Sequence, residues 1–133
     1  MVKSHEDLEA YLNRLGRRFE RLEDGTYLVA LAPNQPPVAV RVEPPVLVVH
    51  VRIGEAPAGN LGTEAAVFRR LLELNATDLL HAGYGLDGSD IVLGAALELD
   101  NLDLNELEAT LADVGMALAK HVPVLREMVQ KKA

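Results

Sequence analysis

Between Leu80 and Leu125 the hydrophobic period of the chain changes from two to that of a helix, and this fixes much of its architecture. Leu80, Ala82, Tyr84 and Leu86 alternate with other residues, and Ile91, Leu93, Ala95, Leu97 and Leu99 do the same after Asp87-Gly88. A period of two sends alternate side chains to opposite faces of a strand, and an Asp-Gly pair between two such runs signals a hairpin. Asp103 and Glu106 then have the spacing of a capping box. Leu107, Leu111, Val114, Leu118, Val122 and Leu125 follow at steps of three and four, which predicts an amphipathic helix. Pro123 lacks an N–H, so a kink or break is expected near Lys120. Lys131 and Lys132 read as a frayed tail.

The upstream half adds a helix and several strands. Ser4 with Asp7 resembles a capping box, Leu8, Tyr11, Leu12 and Leu15 form one apolar stripe, and Gly16 suits a left-handed cap. Phe19–Glu23 and Tyr27–Ala32 flank Asp24-Gly25, a second hairpin signal. Val38, Val40 and Val42 alternate with Ala39, Arg41 and Glu43 up to the Pro44-Pro45 break. Leu47, Val49, Val51 and Ile53 then alternate with Val46, Val48, His50 and Arg52, so the second face of this strand is itself half apolar. Such a face is either an interaction surface or is covered by the first helix. Thr63 can cap a helix running to about Asn75, in which Val67, Phe68, Leu71, Leu72 and Leu74 span more than one stripe while Arg69, Arg70 and Glu73 stay polar. An arc that wide packs against more than one surface.

Composition narrows the class. The 133 residues read as one domain, residues 1–133, without a repeat or low-complexity segment. The N-terminus is charged and lacks the apolar core of a signal peptide, and no apolar run reaches the roughly 18–20 residues of a membrane helix. With no cysteine, disulfides and thiolate metal sites are excluded and a cytoplasmic location fits. A net charge of −7 repels a phosphate backbone, which argues against nucleic acid as a partner. Within that balance Arg14, Arg17, Arg18 and Arg21 cluster, either as an anion or partner patch or as a solvated helix end.

Candidate catalytic motifs fail in context. Gly83-Tyr84-Gly85-Leu86-Asp87-Gly88 matches the glycine-rich dinucleotide string, but a strand period follows it where a helix N-terminus is required. Ser89 sits at a turn near His81 without a nucleophile elbow, so a hydrolase built on that pair is disfavoured. His5, His50, His81 and His121 show no metal-ligand spacing, and Asp100–Glu106 lacks the glycine and distal glutamate of a calcium loop. No metal or cofactor site is expected, and the protein reads as a non-enzyme.

The resulting order, α-β-β-β(β)-α-β-β-α, is that of an α+β domain with three helices and an antiparallel sheet of five to six strands. Together with the phrase LLELNATDLLHAGYGLDGSDIVLGAALEL (71–99) and the Asp103-Leu104-Asn105-Glu106-Leu107 helix opening, it resembles the type III secretion chaperones of the Tir-chaperone, CesT-like class and the related YbjN-like proteins. The likeness is most specific from Phe68 to Leu125; the first 60 residues agree mainly in element order. It implies a homodimer that binds an extended segment of a partner protein, such as a secreted effector or a regulator, with no cofactor and no nucleotide hydrolysis. It also implies a dimer contact on the middle helix, at Val67, Phe68, Leu71 and Leu72, with a strand of the following hairpin. The candidate partner-binding residues are Val46, Val48, His50 and Arg52. The alternative is a YbjN-like regulatory or stress module without a secretion client.

Overall fold

The computed structural model describes residues 4–130, so the Lys131-Lys132 tail lies outside the described residues. The elements run α1 (His5–Arg14), β1 (Arg18–Arg21), β2 (Tyr27–Ala30), β3 (Val38–Glu43), β4 (Val46–Glu55), α2 (Leu61–Thr77), β5 (Gly83–Asp87), β6 (Asp90–Glu98) and α3 (Leu104–Gln130). The strands form one antiparallel sheet in the order β1-β2-β3-β4-β6-β5. The expected α+β order with three helices is therefore present, with six strands.

Local chemistry sets the boundaries. The Ser4 hydroxyl caps α1 by accepting from Asp7 N–H at 3.3 Å, and Gly16, at φ 70°, ends it while Arg17 N–H returns to Leu12 C=O. The β1–β2 turn is wider than a two-residue loop: Leu22 N–H bonds Thr26 C=O, and Asp24 accepts from Thr26 N–H, so β1 stops at Arg21. α2 starts three residues earlier than a Thr63 cap predicts, because the Asn60 carboxamide caps it by accepting from Thr63 N–H at 2.9 Å. The strand expected from Leu80 begins only at Gly83. The N–H groups of Leu80, His81 and Ala82 all point at the Asp113 carboxylate, at 3.2, 2.9 and 2.9 Å, and are unavailable to a ladder. Asp87 pairs with Asp90, which makes Gly88-Ser89 the turn.

Asp103 caps α3 as its spacing predicts, accepting from Glu106 N–H at 2.8 Å. Of the kink or break expected near Lys120, the break does not occur: α3 runs continuously through Pro123. Proline removes one intrahelical bond, but Leu118, His121 and Leu125 on either side are buried and hold the turns in register, while Pro123 is exposed.

All three helices feed one core with one face of the sheet. Leu8 and Leu12 of α1, Val67, Leu71 and Leu74 of α2, and Leu107, Leu111, Val114 and Leu118 of α3 bury against Tyr27, Val29, Val38, Val40, Leu47, Val49, Val51 and Leu93. The opposite face carries Leu28, Ala39, Val46, Val48, His50 and Val92, all half-buried. α1 lies on the Tyr27 side, where the Tyr27 hydroxyl bonds the Glu9 carboxylate and burial pushes the phenol pKa up to about 12. The idea that the first helix covers the half-apolar face is thereby overturned, and among the described residues no element lies over it.

Candidate partner-binding surfaces

One face of α2 is apolar and lies largely outside the core, with Phe68 half-buried against it. Leu61, Ala65, Phe68, Leu72 and Ala76 recur at steps of three and four along the whole helix, and Leu61 and Leu72 are 83% and 69% exposed. This stripe runs into a groove of about 250 Å³ lined by Phe68, Leu71, Leu72, Asn75, Tyr84, Gly85 and Leu86, between α2 and the outer strand β5. Leu86, 52% exposed, extends it. Of the four residues expected at a dimer contact, Phe68 and Leu72 offer surface and Leu71 lines the groove floor. Val67 is fully buried and belongs to the core, because it projects from the opposite side of the helix.

Asn75 ties α2 to the edge of the sheet. Its carboxamide oxygen accepts from Tyr84 N–H at 2.7 Å and its nitrogen donates to Tyr84 C=O at 3.2 Å. Deeper, the Tyr84 hydroxyl lies 2.8 Å from His121 Nδ1, and His121 Nε2 lies 3.0 Å from Asp78 Oδ2. An ionised carboxylate only accepts, so Nε2 carries a proton; in the neutral ring Nδ1 then accepts from Tyr84. The bond from His121 holds the Asp78 carboxyl below the usual carboxylate range, with Lys120 Nζ, 3.5 Å away, adding attraction. Burial pushes the Tyr84 phenol far above its ordinary value. With this tyrosine buried and protonated, the three residues act as a strut under the groove and offer no exposed nucleophile. Sequence reasoning missed the roles of Asn75, Asp78, Asp113 and His121, whose partners in these bonds lie 9 to 43 positions away, so no local spacing reveals them.

The second surface is the open face of the sheet. Val46, Val48 and His50 project from β4 between Glu43, Arg41 and Ala39 of β3 and Glu98, Ala96 and Gly94 of β6. Gly94 keeps this face low beside His50, since a Cβ there would stand 3.1 Å from the Val49 carbonyl oxygen. Arg52, at the rim, pairs with Asp90 at 3.0 Å. Val46, Val48, His50 and Arg52 thus share one accessible face, with Glu43 and Glu98 at the Val46 end and the Arg52–Asp90 pair at the other.

The rejected catalytic candidates are not assembled. Ser89 lies in the β5–β6 turn, His81 before the far end of β5, and the glycine-rich string forms β5 and its turn. No group of three or more potential metal-ligating side chains gathers among the described residues, and no described helix is long and apolar enough to cross a membrane.

The family model CesT_Tir_1 matches residues 1–131. Among solved structures, a chain of the heterodimeric ExoU-SpcU complex from the type III secretion system of Pseudomonas aeruginosa aligns with TM-score 0.67 at 21% identity, covering 87% of this chain and 95% of that one. YbjN from E. coli aligns with TM-score 0.64 at 11% identity, covering 89% and 90%. The Yersinia pestis type III secretion chaperone SycH, in complex with a fragment of YscM2, aligns with TM-score 0.60 at 20% identity, covering 92% and 99%. No curated protein sequence gives a match.

Proposed function

The chain belongs to the CesT_Tir_1 family, and on that premise we propose that it is a non-enzymatic, chaperone-like domain that works as a homodimer and holds an extended segment of a partner protein. The observation that carries the dimer is the uncharged stripe along α2, continuous with the groove against β5. A contiguous exposed apolar stripe of this kind marks an interaction site. Ala65 and Ala76 lie on the stripe and let a second helix approach closely, while Arg69, Arg70 and Glu73 pair with one another to the side. The partner segment is assigned to the open sheet face at Val46, Val48, His50 and Arg52, where half-buried valines lie beside charged side chains and suit an extended chain. Chaperone–partner complexes among the structural neighbours support the protein-binding part of this reading.

Light scattering at micromolar concentration tests the dimer. Wild type and Arg69→Glu should have the mass of two chains, and Phe68→Glu and Leu72→Glu that of one. A monomeric wild type would remove the proposal. Affinity capture from the native cell, with Val48→Asp as control, tests the partner site. A stoichiometric secreted protein lost in the variant supports the chaperone; a regulator held instead supports the YbjN-like module, which shares the fold.

A further inference from the structure

Strand β4 changes phase near its end. Arg52 pairs with Val92 and Gly54 with Ile91, so Ile53 is an extra residue, a β-bulge. Paired residues share a face of the sheet, and Ile91 is buried in the core, so the bulge turns Gly54 to the core side as well. A Cβ built on Gly54 would meet no atom within 4 Å, and the φ of Gly54 lies outside the left-handed region. Neither close packing nor backbone conformation requires glycine here, yet a glycine in a strand leaves space where a side chain would stand.

That space belongs to a cavity of about 230 Å³ at the end of the core, lined by the buried side chains of Val67, Ile91 and Leu125. Protein interiors are close-packed, so a hollow between aliphatic side chains forfeits contacts that a bound chain would restore. Ile53, Val122 and Arg126 line this cavity and also a neighbouring cleft of about 270 Å³, which adds Gln35 and Arg52. Together the two hollows have the size of a small-molecule site, roughly 300–1,000 Å³. Arg52 is matched by Asp90 at 3.0 Å. Arg126 forms no ion pair among the described residues, although Glu55 also lines the cavity. An unmatched guanidinium therefore stands where an aliphatic cavity meets a polar cleft.

We propose that this cavity binds a single-chain aliphatic carboxylic acid, its tail among Val67, Ile91 and Leu125 and its carboxylate on Arg126. At roughly 30 Å³ for each water-sized group, 230 Å³ holds about seven or eight methylenes, so the chain has about eight to ten carbons. Guanidinium and carboxylate match by two parallel hydrogen bonds. A peptide suits the cavity less well, because aliphatic walls leave its amides unpaired. The cavity shares no residue with the α2 stripe or with Val46, Val48 and His50, so its ligand goes beyond the protein-binding reading and does not depend on it.

Isothermal titration calorimetry on the full chain, with hexanoate, octanoate, decanoate, dodecanoate and 1-octanol below their aggregation limits, tests this. Each buried methylene contributes about fourfold in affinity, so octanoate should bind at least fivefold more tightly than hexanoate, and the gain should stop near ten carbons. 1-Octanol should bind at least tenfold more weakly than octanoate, and Arg126→Gln should remove that difference. Gly54→Val places an aliphatic side chain in the cavity; it should weaken octanoate at least tenfold and keep or raise the melting midpoint. Equal binding of octanoate and 1-octanol, unchanged octanoate binding by folded Gly54→Val, or no binding of octanoate at millimolar concentration overturns the proposal. So does tighter binding of a tripeptide that ends in leucine with a free carboxylate. Should Gly54→Val fail to fold, the chain-length series and Arg126→Gln still decide it.

Discussion

Asp113 lies within α3 with its carboxylate turned toward three consecutive backbone N–H groups, those of Leu80, His81 and Ala82. Bonds to a charged acceptor are stronger than neutral ones, and a buried donor left without a partner costs its full desolvation. Asp113→Ala should therefore destabilise the protein by about 3 kcal/mol in urea titration, and more than Asp113→Asn, which keeps one acceptor. Nothing nearby marks this aspartate, since it sits on a helix between apolar residues and its donors are over thirty positions away. Asp78 makes a different prediction. Its carboxyl is depressed in the folded state, so it contributes stability above the ordinary value near 3.8, and that contribution is lost as pH falls through the lower folded value. The stability difference between wild type and Asp78→Asn should be full at pH 6 and shrink to nothing in strong acid. Urea midpoints measured across that range read it directly, and a difference that stays constant would show that the carboxylate is not the cause.

At the scale of elements, hydrophobic period and capping residues made most of the fold legible. α1 and α3 begin where Ser4 and Asp103 promise, and the strands from Val38 to Glu55 follow their alternation. The errors arose where a side chain acts on remote or competing backbone. Asn60 captured the cap assigned to Thr63, and Asp113 withdrew Leu80–Ala82 from the strand. Pro123 is the third case, because packing on either side carries α3 past a residue that would end an isolated helix. Its ring is exposed, so the lost hydrogen bond is not offset by burial of the proline itself. Pro123→Ala should raise stability by about 1–2 kcal/mol, less than the full helix penalty because the unfolded chain also gains freedom. Thermal unfolding followed by circular dichroism measures this. An unchanged or lowered midpoint would mean that the proline makes a contact worth keeping with the loop of Pro33 and Pro36 across the neighbouring cleft.

For the whole molecule the question is which surfaces belong to the core and which await another chain. Val48 and Val49 are neighbours in sequence and face opposite sides of the sheet, Val49 fully buried and Val48 half-buried on the open face. A charge at Val49 must be buried unpaired, whereas one at Val48 stays hydrated, so Val49→Asp should abolish folding and Val48→Asp should cost about 1 kcal/mol or less. The stripe on α2 leads to a prediction that neither residue nor element alone supplies. If two copies join there, unfolding separates them, and stability becomes a function of protein concentration by mass action. Each tenfold rise in concentration should then lift the wild-type melting midpoint by about 2–3 °C, given the unfolding entropy of a domain this size. Leu72→Glu should melt at one temperature whatever its concentration, because the charge sits on the stripe and outside the core. Differential scanning calorimetry across a hundredfold range separates the outcomes: a flat wild-type midpoint means that the stripe is not a self-contact, and a sloping Leu72→Glu midpoint means that the contact lies elsewhere on the surface.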